Sequence, residues 1–182
     1  MRIIAGEWRG RPLVAPEGEA TRPTSDRTRE GLFSMLASRL GSFEGLRAAD
    51  LFAGTGALGM EALSRGAAHC TFVDSDRNAI AAVTANLARF GAAARADIRS
   101  QRVEHVPPPP IPCDLVFLDP PYETSLTGVA LARLVDPAWV APGGFVSVET
   151  KAGAERFAIP SCFEAAAERR FGKAQINLLR RL

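Results

Sequence analysis

The tetrapeptide Asp119-Pro120-Pro121-Tyr122 combines a carboxylate, a rigid turn and an aromatic ring. It directly follows an apolar run at 115–118 that predicts a buried strand. Open α/β sheets carry their chemistry just outside the carboxyl ends of such strands. The tetrapeptide is therefore the first place in this chain to look for reacting groups.

These residue types suit a reaction at the exocyclic amine of a nucleobase, which is a weak nucleophile because its lone pair is delocalised into the ring. The Asp119 carboxylate and a carbonyl of the proline turn can each accept one N–H, and so turn the lone pair towards a methyl donor. The prolines hold that carbonyl rigid and offer no competing N–H, while Tyr122 can stack on the base, a contact worth roughly 1–3 kcal/mol. Such catalysis rests on positioning rather than on a dedicated base. The alternative is a proline turn that only ends a strand, with Tyr122 in the core.

A second motif is the glycine-rich run 54–59 (GTGALG), which is typical of the turn between strand and helix that receives a nucleotide cofactor. Asp74 follows Gly56 by 18 residues and closes the next predicted strand, where a carboxylate can accept both hydroxyls of a ribose. NAD and S-adenosylmethionine both contain adenosine, so these two features fit either. Asp50 favours S-adenosylmethionine, because a carboxylate there can face the ammonium of its methionine part but would repel a pyrophosphate.

The predicted cofactor contacts are Asp50, Phe52, Gly54, Thr55, Gly56, Asp74, Asp97 and Thr24. Asp97, at the end of the third predicted strand, can accept a hydrogen bond from the adenine amino group; the alternative is a solvated loop acid. Glu61 is assigned only an interaction with the helix dipole. Neither histidine has a Cys or carboxylate neighbour at ligand spacing, so no metal site is predicted.

The composition fits a single globular domain, with 182 residues of which 47% are hydrophobic and 23% charged. No apolar stretch approaches about 18 residues, and no long apolar segment follows the first arginine, so neither a membrane span nor a secretory signal is predicted. Three widely spaced cysteines fit reduced thiols in a cytoplasm. We expect a cytoplasmic monomer.

Positive charge is concentrated at the two ends of the chain, although the net charge is only +2. Residues 156–182 carry six basic and two acidic side chains, and residues 1–30 carry six arginines and five acids. The two ends are expected to meet as a phosphate-binding face; solvated surface arginines are the alternative.

The predicted phosphate contacts are Arg9, Arg11, Arg22 and Arg27, in a hairpin and a helix start that are expected to overhang the cofactor pocket. The rival interpretation is a structural flap over the cofactor. For Arg22, beside Thr24, the alternative is a contact with the methionine carboxylate.

Strands and helices alternate after residue 46, which predicts a doubly wound parallel α/β sheet. Strands are predicted at 46–52, 69–74, 94–97, 114–119, 143–149, 163–171 and 174–180. Helices are predicted from an N-cap among Thr24, Ser25 and Asp26 to about residue 40, and at 57–65, 76–90 and 125–134, with Asp76 as a further N-cap. The last two strands follow each other without a helix, so an antiparallel hairpin is expected at one edge. A small hairpin is predicted at 2–14.

Stretches spread over nearly the whole chain share the pattern of one protein family. They are RIIAG at 2–6, RGR at 9–11, TRPT at 21–24, REGLF at 29–33, DLFAGTGALG at 50–59, EALSRGA at 61–67, DPPY at 119–122 and RFGK at 170–173. The chain resembles the RsmD-like bacterial 16S ribosomal RNA guanine-N2 methyltransferases. The family often has Glu where this chain has Asp74, and the shorter side chain should still reach the ribose.

The resemblance implies a seven-stranded, Rossmann-like class I S-adenosylmethionine-dependent methyltransferase fold, with a hairpin arm at 1–23 and the methyltransferase domain at 24–182. It implies Asp74 as the ribose ligand, 119–122 as the catalytic turn and S-adenosylhomocysteine as the product. The implied substrate is the N2 amine of a guanine in 16S rRNA or in an assembling small ribosomal subunit, of the guanine-966 type.

Two other classes of function remain open from the residues alone. One is a different amino-methyltransferase, for instance one acting on adenine N6 in DNA or RNA, since the DPPY pattern does not separate guanine from adenine. A DNA enzyme would need a sizeable insertion to read the major groove, and this chain has no room for one. The other is a non-catalytic RNA-binding module or a nucleotide-dependent oxidoreductase.

Overall fold

A computed structural model describes residues 1–16, 25–121 and 125–182. Its helices are α1 (Asp26–Leu40), α2 (Ala57–Ser64), α3 (Arg77–Phe90) and α4 (Leu126–Arg133), with one 3-10 turn at Ala93–Arg95. Its strands are β1 (Arg47–Asp50), β2 (His69–Asp74), β3 (Ala96–Ser100), β4 (Cys113–Leu118), β5 (Val140–Lys151), β6 (Phe163–Phe171) and β7 (Ala174–Arg181). The predicted alternation of strands and helices is confirmed.

The seven strands form one sheet in the order β3-β2-β1-β4-β5-β7-β6. The pairs from β3 to β5 are parallel, whereas β7 lies antiparallel to both β5 and β6, as the sequence predicted. The chain order reverses between β1 and β4, and such a reversal opens a crevice outside the carboxyl ends of the strands. We call the side of the sheet where β1, β2, β4 and β5 end the carboxyl edge.

Apolar side chains cover both faces of the sheet, which is why its parallel strands are nearly continuous hydrophobic runs. Phe117 of β4 packs on Phe33 of α1, with ring centroids 5.6 Å apart, in a cluster shared with α2 and α3. On the other face, Val116 lies in a cluster with Leu131 of α4 and with Trp139, all fully buried. The carboxyl edge is thus carried by a scaffold packed on both sides.

Polar side chains set the helix starts that the sequence indicated. Ser25 accepts a hydrogen bond from the N–H of Thr28 at 3.1 Å and caps α1. Asp76 accepts one from the N–H of Asn78 at 2.9 Å and caps α3, which ends at Gly91 in the left-handed conformation. Each cap satisfies an N–H that has no partner within its helix.

The third and fifth strands differ most from their predicted bounds. The third strand begins at Ala96 rather than at 94, because Ala93–Arg95 forms a 3-10 turn first. The fifth strand runs from Val140 to Lys151 instead of 143–149, with a register shift opposite Cys113 to Leu115 of β4. The apolar pattern alone locates the buried centre of a strand and not its pairing at the ends.

The predicted N-terminal hairpin is present, and we call residues 1–16 the N-terminal arm. Arg2 and Pro12 form an antiparallel bridge, and the N–H of Gly10 donates to the Ile3 carbonyl at 2.8 Å. Ile3 and Trp8 are buried in the same cluster that α1, α2 and α3 form on the sheet. The arm therefore belongs to the main core.

Glu61 of α2 holds this arm in place. From the sequence, Glu61 was expected only to interact with the helix dipole. The side chain is fully buried and accepts hydrogen bonds from the N–H groups of Ile4 at 2.8 Å and Ala5 at 3.0 Å. It also forms an ion pair with Arg65 at 2.8 Å. A buried carboxylate with three donors is a strong anchor, because charge-assisted hydrogen bonds are about twice as strong as neutral ones.

The arm approaches α2 so closely at Gly6 that a side chain there is excluded. Gly6 has φ +84°, and an added Cβ would lie 1.8 Å from the Ser64 carbonyl oxygen. We expect Gly6→Ala to lower the free energy of unfolding by about 3 kcal/mol or more, from strain and collision together. Gly10→Ala is the matched control, because Gly10 has φ +81° and nothing within 4 Å of an added Cβ. Equal losses for the two variants in urea unfolding would contradict close docking of the arm.

Candidate cofactor and catalytic site

Two carboxylates end neighbouring strands at the carboxyl edge, Asp50 on β1 and Asp74 on β2. Asp74 accepts hydrogen bonds from the N–H of Gly54 at 2.9 Å and from the N–H of Asp76 at 2.9 Å. It thereby fixes the glycine-rich loop to the start of α3. Each carboxylate oxygen has a second lone pair, so Asp74 keeps capacity for further donors such as hydroxyl groups.

Asp50 is buried and only half satisfied. Its Oδ2 accepts a hydrogen bond from the N–H of Gly59 at 3.0 Å, whereas its Oδ1 has no partner among the described residues. Burial raises the pKa of Asp50 to about 7; the Gly59 hydrogen bond lowers it and the Asp74 charge raises it further. A buried acceptor without a donor is uncommon and indicates a missing polar group. A cationic ligand would supply both a hydrogen-bond donor to Oδ1 and a positive charge opposite the Asp50 carboxylate.

The glycine-rich loop leaves open space beside these carboxylates. Gly54 has φ +53°, and an added Cβ would meet nothing within 4 Å, so the loop backbone is accessible there. Thr55 and Gly56 are buried beneath it, and Gly56 takes the left-handed conformation at the start of α2. Phe52 is half-buried and packs against the cluster on the α4 face. The loop can therefore accept an adenosine-containing cofactor against its backbone.

Asn86 of α3 fastens the loop to the N-terminal arm, a role the sequence analysis missed. Its buried amide donates to the carbonyls of Thr55 and Val14, each at 3.0 Å, and accepts from the N–H of Val14 at 2.8 Å. The Thr55 hydroxyl donates to the Met1 sulfur at 3.4 Å. The partners of Asn86 are 31 and 72 residues away in sequence, so no local pattern could have indicated them.

The proline turn follows β4 at the same edge. Leu118, the last residue of β4, pairs with Val148 of β5, and Phe117 pairs with Asp50 of β1. Neighbouring strands lie about 4.8 Å apart, so Asp119 leaves the sheet between β1 and β5. Asp119 is half-buried, and after it Pro120 is buried and Pro121 exposed. Tyr122 and Thr24 lie outside the described residues.

The structure contradicts the predicted position of Asp97. Asp97 is the second residue of β3 and pairs with Thr71, whereas Ser100 pairs with Asp74 at the carboxyl edge. Three residues of strand place Asp97 about 10 Å before that edge. Its carboxylate forms an ion pair with Arg99 at 2.7 Å. The 3-10 turn delays the start of β3, so Asp97 is not at the end of the strand and we do not propose it as the adenine ligand.

The arm runs away from the pocket, so the prediction that Arg9 and Arg11 overhang the cofactor is wrong. Arg11 donates to the Arg89 carbonyl at 2.9 Å and stacks on Phe90, at the end of α3. The 14-residue α3 is about 20 Å long, so Arg11 is that far from the carboxyl edge. Exposed Arg9 lies at the same end, whereas Arg27 is exposed in the first turn of α1.

Basic side chains of β5 and of the β6–β7 hairpin lie at the carboxyl edge. Lys151 ends β5 and pairs with Ala174, so that Lys173 in the β6–β7 turn lies beside it. The N–H of Ala152 donates to the Lys173 carbonyl at 2.9 Å and fixes this contact. Lys151, Arg170 and Lys173 are all exposed. We call these three residues the basic rim. Arg22 lies outside the described residues.

The titration of Asp50 predicts a pH dependence of stability. The folded protein keeps Asp50 protonated up to about pH 7, whereas the unfolded chain ionises it near 3.8. Between these values the unfolded chain binds fewer protons, so rising pH favours unfolding. In the ligand-free protein we expect the free energy of unfolding to fall from pH 4 to 7, by on the order of a few kcal/mol relative to Asp50→Asn. If the free energy of unfolding, measured in urea, changes with pH in the same way for the wild-type protein and Asp50→Asn, the raised pKa of Asp50 is contradicted.

Two negative findings concern the residues that the structure describes. Within 1–16, 25–121 and 125–182, no group of three or more His, Cys, Asp or Glu side chains is placed to hold a metal ion. In the same ranges, no helix has the length and apolar character needed to cross a membrane.

The sheet order, with an antiparallel seventh strand inserted between the last two, is that of the class I methyltransferases. Two solved structures match this chain over its full length. The Escherichia coli protein yhhF is 33% identical, with 97% of that chain covered and a TM-score of 0.87. The Haemophilus influenzae methylase HI0767 is 31% identical, with 98% of that chain covered and a TM-score of 0.81.

The chain belongs to the RsmD family of methyltransferases, whose family model, described as conserved hypothetical protein 95, matches residues 1–180. It is 35% identical over 181 residues to the ribosomal RNA small subunit methyltransferase D of Escherichia coli K12, covering 100% of this chain and 90% of that protein. The protein of the same name from Haemophilus influenzae is 37% identical over 155 residues, which cover 83% of this chain and 79% of that protein.

Proposed function

We propose that this protein transfers the methyl group of S-adenosylmethionine to the exocyclic N2 amine of a guanine in 16S ribosomal RNA, at a site of the guanine-966 type. The observation that carries the proposal is the proline turn after Asp119, which lies at the carboxyl edge beside the buried carboxylate of Asp50. The names of the relatives, ribosomal RNA small subunit methyltransferase D, support the substrate class. The proposed partner is the rRNA or an assembling small subunit, with the protein acting as a monomer.

The carboxylates at the ends of β1 and β2 fit this cofactor. Asp74 would accept the ribose hydroxyls, and Asp50 would accept the ammonium of the methionine part, directly or through water. The unpartnered Oδ1 of Asp50 supports that assignment, because a cation there removes a buried unsatisfied acceptor. When bound, S-adenosylmethionine supplies an electrophilic methyl group.

Asp119 would prepare the amine for attack. Its carboxylate and a carbonyl of the proline turn each accept one N–H of the guanine amine and orient the nitrogen lone pair. As the nitrogen forms its bond to carbon, one proton must leave, and half-buried Asp119 can pass it to solvent. Pro120 and Pro121 keep the turn in one geometry, which preserves the orientation between turnovers.

Analysis of the methylated nucleoside tests this function directly. The protein would be incubated with labelled S-adenosylmethionine and small-subunit particles or rRNA from a strain that lacks the enzyme, and the RNA digested to nucleosides. We expect labelled N2-methylguanosine at one position. Label in N6-methyladenosine would favour the alternative amino-methyltransferase, and absence of label in every RNA substrate would contradict the proposal.

The basic rim is the surface that would carry RNA phosphates next to the reacting base. Replacing Lys151 and Lys173 with alanine should weaken RNA binding, because fewer phosphates are neutralised and fewer counterions are released. The slope of log affinity against log salt should flatten by about 0.7–0.9 for each phosphate that is no longer neutralised. Filter binding at several salt concentrations measures this slope, and an unchanged slope would exclude the rim.

Replacing Arg9 and Arg11 gives the comparison, since these exposed arginines lie about 20 Å from the edge. If they bind a more distant segment of the RNA, their replacement should lower RNA affinity and leave methylation at saturating RNA unchanged. Normal affinity and slope in the Arg9/Arg11 variant would remove the arm from the RNA-binding surface.

A further inference from the structure

A cavity of about 280 Å³ lies on the α4 face of the sheet, over the last three strands. Its outer wall is formed by the segment that connects β5 to β6 without a helix. Its floor carries three polar side chains, Thr150 of β5 and Gln175 and Asn177 of β7. We call it the flank cavity. The proposed reaction gives it no role.

The strand register places these three side chains on the cavity side of the sheet. Asn177 pairs with Val148, and Gln175 pairs with Thr150. Val148 packs in the cluster on the α4 face, and residues directly opposite each other on neighbouring strands share a face. Steps of two residues along a strand stay on one face. Asn177, Gln175 and Thr150 therefore all project to the α4 side.

The polar side chains form a row that keeps hydrogen-bonding capacity for a ligand. Gln175 donates to Oδ1 of Asn177 at 3.3 Å, and Asn177 donates to the Thr150 hydroxyl at 3.3 Å. Each amide has two N–H donors and an oxygen with two lone pairs, so one such bond does not saturate it. All three residues are half-buried and thus accessible from the cavity. The row suits a ligand with a donor beside an acceptor on one edge.

The charges favour a neutral group inside the flank cavity and phosphates outside it. Among the described lining residues, the acids Glu155 and Glu168 outnumber the one cation, Arg156. A phosphate inside would meet net negative charge, which repels it. The basic rim lies directly outside, because Lys151 follows Thr150 in β5 and Arg170 pairs with Gln175. A nucleobase joined to its phosphate fits this distribution, since base edges present donors and acceptors without a charge.

The flank cavity adjoins the proline turn through a second cavity of about 220 Å³, which Pro120 and Pro121 line. The two cavities have a common wall formed by Thr150, Ala154, Glu155 and Phe157. A base held at the turn by Asp119 would therefore have its neighbour along the RNA within reach of the flank cavity. The half-buried ring of Phe157 in the common wall offers a surface on which a base can stack.

We propose that the flank cavity binds the base of a nucleotide adjacent to the methylated guanine, through Gln175 and Asn177, while the basic rim neutralises the phosphate between the two nucleotides. The inference rests on the proposed function and deepens it, because it assigns a substrate contact outside the reacting nucleotide. Base edges are free to enter such a cavity only where they are unpaired and can be splayed apart. The inferred substrate is thus an unpaired stretch of at least two nucleotides.

The test combines Gln175→Ala with RNA that lacks one base. The RNA is ligated from synthetic and transcribed pieces and used in the form, naked or assembled, that the wild-type protein methylates. An abasic nucleotide is placed in turn at each of the two positions on either side of the guanine. Gln175→Ala should weaken binding of the intact RNA by about 3-fold to 10-fold, the value of one hydrogen bond, with kcat at saturating RNA unchanged. At one abasic position the variant and the wild-type protein should bind equally, because the contact is already absent.

Gln101→Ala is the matched control, since it makes the same change at an exposed position just after β3. Four strands separate β3 from β7 in the sheet, a distance of about 24 Å. This variant should bind every RNA like the wild-type protein. Unchanged affinity of Gln175→Ala for intact RNA, or a loss of the same size on all the abasic RNAs, would overturn the inference.

If Gln175→Ala fails to fold, photo-crosslinking of the wild-type protein decides the question. A 4-thiouridine next to the guanine should attach to a peptide that contains residues 154–157 or 174–177, and attachment only to other peptides would overturn the inference. A wild-type protein that places no methyl group on guanine N2 would instead contradict the proposed function.

Discussion

Replacing Asp119 with alanine is expected to lower kcat by about 100-fold to 10,000-fold, with S-adenosylmethionine affinity unchanged within about twofold. The reason is that Asp119 would act on the amine only as the nitrogen attacks, whereas the cofactor would be held by Asp50 and Asp74. Single-turnover methylation with saturating cofactor and RNA measures the chemical step without product release.

Asp119→Asn is the informative companion, because the amide keeps the size and one acceptor oxygen but has no charge. The kcat of Asp119→Asn should lie between those of Asp119→Ala and the wild-type protein. If Asp119→Ala methylates at the wild-type rate, the residues 119–121 form only a turn, and the proposed handling of the amine is wrong.

Replacing Asp74 with alanine should raise the Kd for S-adenosylmethionine by about 100-fold to 10,000-fold. Two hydrogen bonds from ribose hydroxyls to a charged group are worth about 1.5–3 kcal/mol each, and each 1.4 kcal/mol is tenfold in affinity. Calorimetric titration of the folded variant gives the value directly. Unchanged affinity would remove Asp74 from the cofactor site.

Asp74 also holds the N–H of Gly54, so its replacement loosens the loop as well as the ribose contact. Asp76→Ala serves as the control, since it removes the cap of α3 at Asn78 and leaves the Asp74 carboxylate in place. It should cost about 1 kcal/mol of stability and little cofactor affinity. A decrease in affinity as large as that of Asp74→Ala would assign the effect to the α3 start.

The parts of the fold and site that could be predicted are those with short-range signals. The glycine-rich loop and the proline turn each lie within a few residues, and each follows a buried strand whose carboxyl end fixes its place. The caps at Ser25 and Asp76 are likewise local, because the side chain and the N–H it accepts are two or three residues apart. Such features depend on backbone geometry that the sequence encodes directly.

The parts that could not be predicted depend on contacts between distant residues. Glu61 binds the arm across 57 residues, and Asn86 binds it across 72. A buried polar residue within a helical pattern does not indicate its partner. The predicted position of Asp97 is wrong because a single 3-10 turn moves the start of a strand, and strand ends shift the face and depth of every side chain near them.

The anchoring of the N-terminal arm also bears on the order of folding. Its contacts at Glu61, Ser64, Asn86 and Phe90 come from residues that follow it by 50 or more positions. The arm emerges before α2 and α3 during synthesis, yet it has nothing to dock on until these helices are complete, and loop closure over such separations is slow. Amide hydrogens of Ile3, Ile4 and Ala5 should therefore gain protection later in refolding than those of β1. Closure of the glycine-rich loop, through Asn86, would be among the last events before the protein can hold a ligand.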